Sequence, residues 1–98
     1  MDYPSIRREA LPLLPALLRR WLPGGRRSGW EWVATNPTRL DRHAGSFKIN
    51  LRTGRWADFA TDAKGRDVIG LAAYLFGISR REAAQNLANM LGIQEGER

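Results

Sequence analysis

Eleven basic residues fall between Arg19 and Arg66: Arg19, Arg20, Arg26, Arg27, Arg39, Arg42, Lys48, Arg52, Arg55, Lys64 and Arg66. Only Glu31, Asp41, Asp58 and Asp62 oppose them there, so this segment carries +7, the two ends together −1 and the whole chain +6. Only two of the sixteen basic residues are Lys. Guanidinium forks grip phosphate through two parallel hydrogen bonds and stack on bases, which suits a nucleic-acid partner. A bias toward Arg codons explains Arg over Lys but not the central clustering. Aromatic residues interleave with the cations at Trp30, Trp32, Trp56 and Phe59. Rings that stack on bases, with cations tracking phosphates, are the requirement for holding a single strand, at roughly 1–3 kcal/mol per stacked base. The candidate nucleic-acid-binding residues are Arg39, Arg42, Lys48, Arg52, Arg55, Trp56, Lys64 and Arg66, with Trp30 as an alternative stacking ring. Trp30 and Trp32 share a strand parity and form a candidate platform. The competing use of each Trp is the core, where it buries a large area.

Catalytic chemistry has little to work with. The chain has no Cys and one His, His43, which excludes disulfides, thiolate zinc and His-rich metal sites. Ser46, His43 and Asp41 supply the residue types of a nucleophile triad, but no elbow or oxyanion motif accompanies them. Asp58, Asp62 and Asp67 can formally gather around Mg²⁺, yet Asp67 reads as a helix cap and Asp58 as the partner of a local Arg. No Walker pattern is present. The expectation is a protein that is not an enzyme, with no cofactor and no metal.

The elements that must position these residues follow from periodicity. The chain has 98 residues, enough for one domain that buries about 60–65% of its unfolded surface. Ile6, Ala10, Leu13, Leu14, Leu17, Leu18 and Trp21 mark one helical face. Pro12 and Pro15 predict a broken element at 5–22, regular only from Pro12 or Pro15 onward. The apolar run from Ala10 to Leu18 is far too short to span a bilayer and lacks a cleavage pattern, so the expected location is cytoplasmic, with no membrane partner. Residues 23–29 read as turn chemistry. Strands are predicted at Trp30–Ala34, Ser46–Leu51 and Arg55–Phe59, the last two joined by the hairpin loop Arg52-Thr53-Gly54. Phe47, Ile49 and Leu51 then share the face opposite Lys48 and Asn50. A polar loop leads to a helix over Val68–Phe76, capped by Asp67 and ended by Gly77. The capping box Ser79-Arg-Arg-Glu82 starts another, stopped by Gly92. The fold class is α+β: a small antiparallel sheet of about three strands at 29–60, packed against helices, with a helical hairpin at 67–92, all in a single domain over 1–98.

The ordered series Gly29-Trp-Glu-Trp-Val-Ala, Asn36-Pro37-Thr38-Arg39, Gly45-Ser46-Phe47-Lys-Ile, Thr53-Gly54-Arg-Trp56-Ala-Asp58-Phe59 and Gly65-Arg66-Asp67-Val-Ile resembles the zinc-binding domain of bacterial and phage-type DNA primases. The resemblance covers residues 29–92. That family carries a Cys-Pro-x-His loop, a Pro-Ser-Phe strand, a Cys-x-x-Cys hairpin and a Gly-Gly-Asp entry to a helix. Here Asn36 and Arg39 stand in place of the first Cys and the His, and Asp58 and Thr61 in place of the last two Cys. The resemblance therefore implies a zinc-free version of the primase zinc-ribbon fold, of the kind found at the front of primase-helicases of plasmids, phages and integrated elements. It implies recognition of a single-stranded DNA template, with a primase catalytic domain, helicase or other replication protein as partner. Structural zinc supplies much of such a domain's folding energy, so packing must replace it. The alternative is a zinc-less, primase-derived adaptor that docks on a helicase, polymerase or host factor. Its expected mark is an apolar patch around Leu11, Pro15 and Trp21.

Overall fold

A computed structural model describes residues 2–40 and 45–93. Three helical segments open the chain: α1 (Tyr3–Ala10), a 3₁₀ turn (Leu11–Leu13) and α2 (Leu14–Trp21). The first is more regular than the sequence reading allowed. Its start is fixed by Asp2, whose carboxylate accepts the Ser5 N–H at 3.1 Å. Pro4, Pro12 and Pro15 each sit in the first two positions of their own segment, where the missing N–H has no intrahelical acceptor to lose. The prolines thus divide the stretch into short rods and do not disorder it. Ile6, Ala10, Leu14, Leu17 and Leu18 are buried along one side.

Among the described residues five strands follow, not three: β1 (Arg26–Ser28), β2 (Glu31–Ala34), β3 (Phe47–Asn50), β4 (Trp56–Asp58) and β5 (Lys64–Gly65), paired antiparallel in that order. The added strands are edges, three and two residues long. Both are too short and too polar to show a period-two pattern. Gly29 at φ 61° makes a two-residue turn with Trp30 between β1 and β2, the tight connection that needs a left-handed residue. Trp30 therefore lies at a hairpin tip, outside the strand expected to contain it. In the β3–β4 hairpin the Asn50 carboxamide oxygen accepts the N–H groups of Arg52 and Thr53 at 2.8 and 3.1 Å. Gly54 turns back at φ 81°. Asn50 thereby spends its side chain on the loop and leaves Arg52 and Arg55 exposed.

Helices α3 (Val68–Phe76) and α4 (Arg80–Leu91) follow the sheet with the predicted bounds and caps. Asp67 accepts the Gly70 N–H at 2.8 Å and Ser79 the Glu82 N–H at 3.0 Å, and Gly77 and Gly92 end the two helices in left-handed conformations. Ala83, Ala84 and Ala88 are fully buried; their small side chains let α4 pack closely against α3 and α1. The helices cover the sheet face carrying Trp32, Ala34, Phe47, Ile49 and Trp56. The alternate residues Val33, Lys48, Ala57 and Lys64 stand on the other side.

Two glycines let indoles lie flat on the backbone. A Cβ at Gly65 would meet the Trp56 ring at 2.5 Å, and one at Gly25 would collide with Trp32. Gly65→Ala is expected to destabilise the fold by about 1–3 kcal/mol through overpacking. Gly24→Ala, which meets nothing within 4 Å, should change stability far less. Urea unfolding of the two variants checks the contrast, and equal stabilities would show that the Trp56 contact is not tight.

Candidate nucleic-acid interface

Strand register lines up a row across the open side of the sheet. Arg26 pairs with Val33, Val33 with Lys48, Lys48 with Ala57, and Ala57 with Lys64. Three of the five carry positive charge, and the adjacent row adds Arg55 opposite Asn50. Two acids adjoin it: Glu31, with its carboxylate 4.0 Å from Lys48 Nζ and a place in the wall of the cavity beside it, and Asp62, which shares a depression with Phe59 and Lys64. Beside this row stands Phe59, 72% exposed, with Lys48 Nζ 5.9 Å from its ring centre. Lys48, Arg55, Phe59 and Lys64 share the walls of a shallow cavity of about 290 Å³. At the sheet's corner Trp30 is 54% exposed, with the guanidiniums of Arg27 and Arg52 5.2 and 5.0 Å from its ring. Arg27 is held there by a 3.0 Å bond from Nε to the Gly29 carbonyl.

This arrangement keeps five of the candidate residues at the surface: Lys48, Arg52, Arg55, Lys64 and Arg66. Two others are corrected. Trp56 is buried, stacked at a tilt on Tyr74 with centroids 4.9 Å apart and edge-on to Phe47. Its faces are spent on the core, and no base can reach them. Trp32 is likewise interior, donating Nε1–H to the Leu22 carbonyl at 3.2 Å, so the expected Trp30–Trp32 platform reduces to Trp30. Arg39 is committed to Asp58 through two hydrogen bonds, with its side chain 30% exposed. Arg42 lies outside the described residues, as do Asp41 and His43. Arg26 and Arg27 join the site although sequence reasoning missed them, since the Gly- and Pro-rich run around them reads as a turn; the Gly29-Trp30 pair at a tight hairpin is the signal that finds them. At the patch expected around Leu11, Pro15 and Trp21 all three are half-buried, and Trp21 meets Phe76 edge-on at 5.7 Å, while Leu13 and Phe76 are exposed.

Behind the sheet's end sits a polar cluster. Asp58, side chain fully buried, receives Arg39 Nε at 2.7 Å and Nη2 at 3.2 Å, Asn36 Nδ2 at 2.8 Å and the Ala60 N–H at 3.0 Å. Asn36, 1% exposed, also donates to the Tyr74 hydroxyl at 2.9 Å. Arg39 Nη2 reaches Ser46 Oγ at 3.1 Å. The guanidinium of Arg39 is the main cause holding the Asp58 carboxyl far below the ordinary aspartate range, outweighing burial, with help from Asn36, the Ala60 N–H and Ser46. Asp67 is similar in kind. Burial pushes its carboxyl up, but the hydrogen bonds from Arg80 at 2.7 and 3.0 Å and from Gly70, with the charge of Arg7, hold it below the ordinary value. Both acids serve as anchors, which leaves no Asp pair free for Mg²⁺ at these positions.

Because Asp58 ionises more readily folded than unfolded, its contribution is complete above the unfolded value near 4 and is lost as pH falls. Asp67 acts in the same direction. Asp58→Asn is expected to cost about 3 kcal/mol at neutral pH, the low end for breaking a buried pair, because Arg39 keeps some solvent contact. It should also flatten the acid limb of the stability curve from about pH 5 to about pH 2. Denaturant unfolding at a series of pH values measures both; an unchanged acid limb would show that the cluster does not govern acid stability. No protein-family model matches this chain, and no curated protein matches its sequence.

Proposed function

We propose that this chain is a nucleic-acid-binding module that takes single-stranded DNA on the open face of its sheet. We further propose that it is a metal-free relative of the template-recognition domain of primases and primase-helicases. The observation that carries the binding reading is Phe59, an exposed ring beside Lys48 on a face crossed by Arg26, Lys48 and Lys64 and left uncovered by the helices. A ring of this kind offers a face to an unpaired base, while the cations lie where its phosphates run. Trp30 provides a second ring at the sheet corner, and a base that displaces Arg27 or Arg52 from it frees that guanidinium for a phosphate.

The kinship is supported by the polar cluster. Asn36 and Asp58 head two turns of the same form. In each, the side-chain oxygen accepts the N–H two residues on, Thr38 at 2.9 Å and Ala60 at 3.0 Å. In each, the carbonyl accepts the N–H three residues on, Arg39 at 3.4 Å and Thr61 at 3.0 Å. Both turns have the two-residue spacing of a zinc knuckle, and they face each other. The donor set itself does not fit zinc, since Arg39 brings a cation to the position and Asn36 and Thr61 bring neutral groups. The Arg39–Asp58–Asn36 contacts clamp the two turns as a shared metal would.

Two experiments test the reading. Fluorescence anisotropy is expected to show salt-sensitive binding that favours single-stranded over duplex DNA. Phe59→Ala should weaken it by about 1–3 kcal/mol without unfolding the chain. Equal, weak binding to both DNA forms, or an unaffected Phe59→Ala variant, would overturn the sheet-face assignment. For the kinship, Asn36→Cys, Arg39→His, Asp58→Cys and Thr61→Cys combined in one chain are expected to create a tetrahedral site retaining one zinc per chain. A folded variant that retains none would remove the equivalence of the two turns to knuckles.

A further inference from the structure

Resting on that reading, the geometry points to a second phosphate-binding tract, in the groove between α1 and the β3–β4 hairpin, into which a strand leaving the sheet face continues. This groove, about 530 Å³, is lined by Arg7, Arg8, Arg55 and Arg66 together with Thr53 and Asp67. Four arginines line one concavity with a single acidic residue, Asp67. That carboxylate is already committed, 2.7 Å from Arg80 and 3.6 Å from Arg7. Crowding like charges into a groove is unfavourable unless an anion joins them. The apolar walls are Pro4, Leu11 and Val68, with no ring on which a base can stack. The chemistry is therefore that of backbone phosphate, which guanidiniums grip through paired hydrogen bonds.

Continuity fixes the source of that phosphate. Arg55 lines both this groove and the shallow cavity holding Lys48 and Phe59. Arg66 lines the groove and a third depression that includes Lys64 and Arg80. Arg55 and Arg66 thus connect the depression on the sheet face with the groove beside α1. In the sequence Arg7 and Arg8 belong to an end with no excess charge, and only the fold carries them to the basic face.

The test uses the full chain and the variant Arg8→Ala with Arg66→Ala; both side chains are exposed, and Arg7 is spared because it touches Asp67. Affinity is measured against salt with oligonucleotides of about 4 and about 16 nucleotides, which bracket the site sizes of small single-strand-binding folds. The longer strand is expected to lose about 1.4 from its log–log salt slope, about 0.7 for each phosphate contact removed. The shorter strand, held on the sheet, should lose little. An unchanged slope with the longer strand overturns the groove while leaving the sheet-face reading standing. Independently of any DNA, inorganic pyrophosphate titrated into ¹⁵N-labelled protein should shift the amide signals of Thr53, Arg55, Arg66 and Val68 saturably, and the double variant should abolish the shift. Absence of a saturable shift in the wild-type chain overturns the proposal even if the sheet binds DNA.

Discussion

The carboxylate of Asp58 is the constraint on which the rest of this small domain turns. Removed from water, an unpaired aspartate costs several kcal/mol, so its position fixes everything that must come to it. Arg39 and Asn36 bring the loop after β2 against the end of β4, and Tyr74 brings α3 to the same point. Hydrophobic contact alone tolerates sliding; four directed hydrogen bonds to one carboxylate do not. With Asp58 fixed, the next residue leaves the strand in a set direction. The Phe59 N–H bonds the Ser46 carbonyl at 2.7 Å, and its ring stands outside.

The two faces of the sheet then divide the labour of the side chains. On the covered face large rings fill the space under the helices, with Phe47 and Trp56 meeting edge to face at 6.4 Å. Alanines on α4 let a second helical layer close over them. On the other face Val33 is buried, Lys48 lies half-exposed beside Glu31, and Arg26 and Lys64 are exposed to solvent. The four Trp illustrate how local geometry assigns one residue type to opposite duties. Trp32 and Trp56 sit in strands on the covered side, over glycines that leave room for their rings. Trp21 is half-buried against Phe76. Trp30, displaced by a two-residue turn, becomes a surface ring.

Much of this was legible in the residues. The bounds of α3 followed from Asp67 and Gly77, the alternation of Phe47, Lys48, Ile49 and Asn50 gave the faces of β3, and the same parity placed Lys48 at the surface. Three things were not legible, for distinct reasons. The edge strands β1 and β5 carry no hydrophobic alternation, because neither contributes to the core and pairing alone defines them. The fate of Arg39 depended on a partner 19 positions away in sequence, a pairing that no local pattern encodes. Trp56 and Phe59 fell at opposite parities, which announced one interior and one exposed ring without saying which. Gly65, whose missing side chain makes room for the Trp56 indole, decides it only once β5 is known to pair with β4.

The charge distribution shows how the proposed selectivity arises. A polyanion of any form is attracted to the row Arg26, Lys48 and Lys64 and to the arginines around Thr53, and salt weakens that attraction alike for single and double strands. Discrimination must come from the rings. In a duplex the base faces are already stacked on one another, so Phe59 and Trp30 gain nothing from it; in a single strand they are available. In the proposed mode of binding, cations beside rings act in sequence: the field gathers the strand, and the aromatic face selects it. The scheme works only if the rings are held proud of the sheet, which for Trp30 rests on the left-handed Gly29 and for Phe59 on the buried carboxylate one residue before it.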